Sequence, residues 1–279
     1  MPAASSATIA AFRGLHASGC FVLPNPWDVG GARLLAGMGF KALASTSAGA
    51  AWAVGRPDGG VGLADMLAHL AMLSEAAGLP VNADFQNGFA DAPDRVAENV
   101  ARAIATGVAG LSIEDSTGRA EDPLYDFDLA VARVAAARQA IDASGTGVVL
   151  TARAEGFLAG RPDLDEVIAR LQAFSAAGAD CLYAPFLPDL AAVTAVVQAA
   201  APKPVNVLIS RFAVPDLAAA GVRRVSIGGS LAYAAWTGFL AAARGLQDDG
   251  KLPPSGSVAP FKNLNAAFAD PTGPARTEA

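Results

Sequence analysis

The chain has 279 residues, 53% hydrophobic and 16% charged, which is room for one large core and too apolar a mix for disorder. Its net charge of −6 excludes the basic stripe of a nucleic-acid binder. It has no uncharged apolar run of ~18 residues, so no membrane span is expected.

The start, Met1-Pro2-Ala3-Ala4-Ser5-Ser6, lacks the basic residues of a secretory signal. Two distant cysteines, Cys20 and Cys181, are too few for a disulfide scaffold, and a reduced, cytoplasmic protein is expected. Residues 5–18 read as a short helix. A repeating unit follows: an apolar run, an Ala-rich helix, then a glycine at the helix C′ position (Gly39, Gly78, Gly107, Gly145, Gly178, Gly221). The expected strands are 21–24, 41–46, 80–84, 110–114, 148–153, 181–185, 204–209 and 223–228. After the third, Asp91 is placed as a cap, Pro93 in the first turn, and Val96, Val100 and Ile104 on one face. Phe127, Val131, Val134 and Ile141 repeat after the fourth strand, and Leu164, Val167, Ile168, Leu171 and Phe174 after the fifth.

Eight β-α units in succession predict a (β/α)8 barrel over residues 1–248, one domain that includes the N-terminal helix. A doubly wound sheet is the alternative, but its Gly-x-Gly-x-x-Gly after the first strand is missing. Residues 249–279 read as a C-terminal extension. Pro253, Pro254 and Gly256 punctuate it, Phe261, Leu264 and Phe268 make a short helix that packs on a neighbour, and the last ten residues fray.

In such a barrel the active site lies at the C-terminal strand ends. Those ends carry Asn25 and Asp28, Ser45 and Ser47, Asp84, Glu114, Arg153, Pro185, Asn206 and Ser210, and Gly228 and Gly229. Two neighbouring strands stop at acids, one at Asp84 and one at Glu114 and Asp115. Ionised carboxylates beside a core need a cation, and a divalent ion with oxygen ligands is the economical one. Helix capping is the competing reading. Thr46-Ser47-Ala48-Gly49-Ala50 offers either backbone N–H groups to a carboxylate or tight packing under a helix. Arg153 closes an apolar strand and has to pair with Glu155, with other acids or with an anionic substrate. Asp58 lies in a turn, where a bare turn aspartate is the default. His16 and His69 sit in helical stretches, and neither a triad nor a zinc site can be assembled.

In this order, Leu23-Pro24-Asn25-Pro26-Trp27-Asp28, Thr46-Ser47-Ala48-Gly49, Gly55-Arg56-Pro57-Asp58-Gly59, Ala83-Asp84-Phe85-Gln86-Asn87-Gly88-Phe89, Ser112-Ile113-Glu114-Asp115 and Thr151-Ala152-Arg153-Ala154-Glu155 carry a resemblance. From about Asn25 to Leu246 the chain resembles the isocitrate lyase / phosphoenolpyruvate mutase superfamily. The resemblance implies a barrel whose last helix is swapped between subunits of a homodimer or homotetramer. It implies Mg2+, with Mn2+ as the alternative ion, and a small 2-oxo or 2-hydroxy acid whose C–C or P–C bond breaks through an enolate-like oxyanion. Asp58, Asp84 and Glu114 match the metal-sphere acids, and Arg153 the substrate-carboxylate arginine. Asp58, Glu114 and Arg153 are therefore the catalytic candidates. Ser47, Ala48 and Gly49 match the backbone oxyanion segment, although a gapless register from Asp58 favours Ser45. Asn82, Asp84 and Asn206 complete the expected substrate site.

Two departures shape the functional expectation. The family's Asp-x-Asp is here Asn82-Ala83-Asp84, and the lyases' loop Lys-x-Cys-Gly-His is replaced by residues 116–123, without Cys, Lys or His. A catalytic-loop-degenerate branch is expected: an Mg2+-dependent lyase that decarboxylates or cleaves an oxaloacetate-like acid, with Tyr125 or Tyr183 as the reprotonating hydroxyl. The alternatives are a P–C mutase or hydrolase, and a 2-oxo acid binder without turnover.

Overall fold

A computed structural model of the protein describes residues 3–252 and 261–269. Its eight strands are β1 (Phe21–Leu23), β2 (Leu43–Ala44), β3 (Val81–Asp84), β4 (Gly110–Glu114), β5 (Val149–Arg153), β6 (Cys181–Tyr183), β7 (Val205–Leu208) and β8 (Arg224–Ser226). All are parallel and form one sheet in the order β1-β8-β7-β6-β5-β4-β3-β2. At the remaining seam the Ala44 N–H donates to Pro24 O at 3.0 Å, so the barrel is nearly closed. Each strand falls inside the run expected for it, and the (β/α)8 architecture is borne out.

The helices are α1 (Ser6–Ala17), α2 (Val29–Gly37), α3 (Ser47–Ala53), α4 (Leu63–Ala77), α5 (Pro93–Ile104), α6 (Phe127–Ser144), α7 (Leu164–Ala176), α8 (Leu190–Ala200), α9 (Val214–Ala219), α10 (Ser230–Asp249) and α11 (Phe261–Ala269). Gly78 and Gly145 end α4 and α6 with φ of 60° and 65°, the left-handed turn that sends the chain into the next strand. The cap expected at Asp91 does not form. Ala92 is the N-cap of α5 and makes no side-chain bond. Asp91 stands one residue too early to reach an N2 or N3 amide; its carboxylate instead accepts from the Tyr125 hydroxyl and pairs with Arg119 at 3.3 Å. On α6, Val134 and Ile141 are buried as expected, whereas Phe127 is exposed. The largest fully buried side chain of that helix is Arg133, which donates to the Asn87, Ala90 and Asp91 carbonyls and stacks on Tyr125 at 3.9 Å. Loop 85–91, at the mouth of the barrel, is thereby tied to α6.

Helix α1 covers the opposite end. Phe12 is buried there, edge-on to His16 at 4.8 Å, and Arg13 pairs with Asp180 at 3.1 Å. Helix α10 leaves Tyr233, Trp236, Phe239, Leu240 and Leu246 exposed. Helix α11 rests on α2, with the Phe268 ring 6.0 Å from the Arg33 guanidinium carbon. Pro253, Pro254, Gly256 and the tail expected to fray lie outside the described residues. No helix among the described residues is long and apolar enough to cross a membrane.

Candidate active site

A cavity of about 330 Å3 opens at the C-terminal ends of the strands. Asp84 comes from the end of β3, Glu114 from β4, Arg153 from β5 and Tyr183 from β6, with Glu155 just past β5. Arg153 is the hub. Its Nη1 donates to Asp84 Oδ1 at 2.9 Å and lies 3.3 Å from Glu114 Oε2. Its Nε stands 2.7 Å from Glu155 Oε1, and its guanidinium carbon lies 4.7 Å from the Tyr183 ring centre.

The cation that the strand-end acids require is thus supplied by the chain itself. Among the described residues no three His, Cys, Asp or Glu side chains stand together as a metal cluster. The expected trio of Asp58, Asp84 and Glu114 is not assembled, because Asp58 sits on an exposed turn at the cavity rim. Its carboxylate accepts from the Gly59 N–H at 2.9 Å. Asp84 and Glu114 still converge on one point, and Mg2+ needs only one or two carboxylates beside water. Those two fit a hydrated ion.

Burial dominates the electrostatics. It raises Glu114 well above the usual carboxylate range, against the pull of Arg153. It lifts Glu155 to about 7, again with Arg153 opposing, and pushes Tyr183 up to about 12. Burial works against the charge of Arg153, but Glu155 and Glu114 outweigh it and hold the guanidinium firmly protonated. Asp115 belongs to the framework: it pairs with Arg170 at 3.1 Å and accepts from the Glu155 N–H at 2.8 Å.

The segment after β2 meets Asp84 twice. The Asp84 N–H donates to Ser45 Oγ at 2.8 Å, and the Ser47 N–H donates to Asp84 Oδ2 at 2.9 Å. The two serine registers therefore describe two halves of one clasp, hydroxyl and backbone. Ala48 lines the cavity, but Gly49 does not. A Cβ at Gly49 would lie 2.7 Å from Thr46 Cγ2 and 2.8 Å from Trp27 Cβ. Its small size serves the seating of α3, and its N–H is taken by Thr46 Oγ1 at 3.3 Å. Asn25 is also structural: Oδ1 accepts from the Ile227 and Gly228 N–H groups, and Nδ2 donates to Ser45 O.

Asn82 and Asn206 line the deeper part of the cavity, where both face Arg224, a residue the sequence reading passed over. Strand alternation held the signal, since one of Arg223 and Arg224 had to point inward. Of the two tyrosines considered, Tyr183 faces the cavity, whereas the Tyr125 hydroxyl is engaged by Asp91 and Asn87.

Barrel and mouth together have the architecture of a (β/α)8-barrel enzyme, with carboxylates and an arginine gathered in one cavity at the strand ends. The family model of phosphoenolpyruvate phosphomutase (PEP mutase) matches residues 12–247. The chain belongs to that family, within the PEP mutase/isocitrate lyase superfamily. A crystal structure from Burkholderia cenocepacia J2315 is 48% identical, with a TM-score of 0.92 over 95% of this chain and 97% of that one. An uncharacterized protein of Mycobacterium tuberculosis (strain ATCC 25618 / H37Rv) is 35% identical over 93% of this chain and 96% of its own length. The oxaloacetate decarboxylase of Ectopseudomonas mendocina (strain ymp) is 31% identical over 80% of this chain and 78% of its own.

Proposed function

We propose that the protein is a carbon–carbon lyase that frees an enolate from a small 2-oxo or 2-hydroxy acid, with oxaloacetate decarboxylation as the reaction that fits best. The observation that carries this reading is the convergence of Asp84 and Glu114 on Arg153 beside the Ser47 N–H, in one cavity. Similarity to an oxaloacetate decarboxylase supports it, as does a loop 116–123 with no Cys, Lys or His for heavier proton chemistry.

Arg153 exchanges an acid for the substrate carboxylate and orients it. The first-turn amide of α3 at Ala48, joined by that of Ser47 when it leaves Asp84, faces the charge that develops on the 2-oxo oxygen. The bond from C3 to the leaving carboxylate breaks, its electron pair enters the enolate, CO2 departs, and a proton returned to C3 gives pyruvate. We assign that proton to the Tyr183 hydroxyl, which belongs to a residue lining the cavity and stays protonated at neutral pH. Asp84 and Glu114 would hold Mg2+ or Mn2+, which supplies Lewis-acid stabilisation of the enolate when bound.

The test mixes purified protein, Mg2+ and oxaloacetate and follows pyruvate. Turnover above the spontaneous rate, lost with EDTA and restored by Mg2+ or Mn2+, is expected; no excess pyruvate refutes the reading. A retro-aldol cleavage of a substituted malate is the second reading, favoured by Glu155, whose buried carboxylate titrates at about 7 and can serve as base. Glyoxylate or pyruvate from a 2-hydroxy acid panel would mark it. For the assembly we propose a homodimer or homotetramer in which a second copy covers the aromatic face of α10.

A further inference from the structure

The interior of the barrel below the mouth holds a second cation. Arg224, at the start of β8, is 2% exposed and lines the same cavity. Its Nε donates to Asn206 Oδ1 at 2.8 Å, and its Nη1 lies 3.5 Å from Asn82 Oδ1 and 3.4 Å from His16 Nε2. All three partners are uncharged, since burial keeps His16 neutral. The other arginines inside the fold are served differently: Arg153 and Arg170 pair with acids, and Arg133 is spent on three backbone carbonyls. Arg224 has no carboxylate partner among the described residues. A guanidinium withdrawn from water without a counter-ion is costly, and an arriving anion offsets that cost.

The placement is specific. The head of Arg153 touches Asp84, and that of Arg224 approaches Asn82. Those residues are one inward-facing step, about 7 Å, apart on β3, so Arg224 is held one layer deeper in the barrel than Arg153. An aspartate at position 82 would neutralise Arg224 from within the protein; the asparagine found there leaves the charge available. Asn206, held by Ser226 at 3.0 Å, fixes the plane of the guanidinium.

We propose that Arg224 is the receptor for the second acidic group of the substrate, so that a short diacid is held between Arg153 at the mouth and Arg224 at the floor. This rests on the 2-oxo acid reading above and makes the site selective for diacids over monoacids. Calorimetric titration with non-reacting acids, malonate and succinate against acetate and propionate, tests it without any need for turnover. The wild type should hold a diacid at least ~10-fold more tightly than the monoacids. Arg224→Met should weaken diacid binding roughly 10- to 100-fold and leave monoacid binding within about 2-fold, as loss of a charge-assisted contact requires. Equal affinities in the wild type, or equal losses for both classes in the folded variant, overturn the proposal.

Should Arg224→Met fail to fold, succinate-soaked crystals of the wild type decide. A carboxylate within hydrogen-bond reach of Arg224 supports the assignment, and one turned toward loop 116–123 instead overturns it. A protein that binds diacids through Arg224 but forms no pyruvate keeps this inference and loses only the lyase reading.

Discussion

Arg153 holds three carboxylates through one planar fork, a geometry that lysine cannot copy. Arg153→Lys is therefore expected to lower kcat/KM by about 10^2-fold while the protein stays folded, because misplacement of the substrate carboxylate by about 1 Å costs that much. Steady-state kinetics beside a melting curve check it. Glu155 gives a pH signature. Its carboxyl is raised to about 7 from an ordinary 4.5, so the native state keeps a proton that the unfolded chain has lost. The stability this provides is complete below pH 4.5 and disappears as pH rises through about 7. The pH–rate profile should show an inflection near 7 that Glu155→Gln lacks; an unchanged inflection in that variant would show that another group titrates there. Arg153 was legible in the sequence because it closes an apolar strand, and Glu155 because it follows two residues later as the nearest acid to pair with it.

At the scale of elements, the short helix α3 has to lie close to Trp27 so that the Ser47 N–H meets Asp84. Gly49→Ala puts a methyl where two atoms stand under 3 Å away. A loss of about 1–3 kcal/mol is expected from overpacking, together with a higher KM as Ser47 shifts. Thermal unfolding and kinetics of the same variant test both. At the other end, α1 buries His16 against Phe12 and Phe21. Burial holds it at about 4, below its ordinary 6.5. The unfolded chain takes up the proton first, so the His16 contribution to stability falls as pH drops from 6.5 toward 4, by about 2 kcal/mol between pH 7.5 and 5. Glu155 acts in the opposite sense over that range, so the test is a comparison: stability at pH 5 relative to pH 7.5, read from urea midpoints, should be about 2 kcal/mol higher in His16→Phe than in the wild type, and an equal pH dependence in the two proteins would show that His16 is not the group involved. Helix positions and glycine caps were readable from periodicity. The work done by Asp91 was not, because a carboxylate one residue ahead of a helix looks the same whether it caps or pairs with a tyrosine from a later loop.

At the scale of the whole molecule, α10 presents Tyr233, Trp236 and Phe239 to solvent in the single chain. A contiguous aromatic face of this kind marks an interaction surface. In the proposed homo-oligomer, Trp236→Glu is expected to shift the protein to a smaller species by sedimentation velocity, with the far-UV spectrum unchanged. A wild type that sediments as a monomer removes the assembly from the reading.

By itself the sequence determined the eight-fold alternation, the strand ends and the acids and arginine placed on them, because apolar runs, glycine caps and helical periodicity are local properties of the chain. Only the tertiary structure decided what neutralises those acids, that Gly49 serves packing, and that Arg224 turns inward to meet Asn82 and Asn206. Each of these depends on which strands closure of the barrel makes neighbours, and on what burial then does to charge; neither is written in any one stretch of residues.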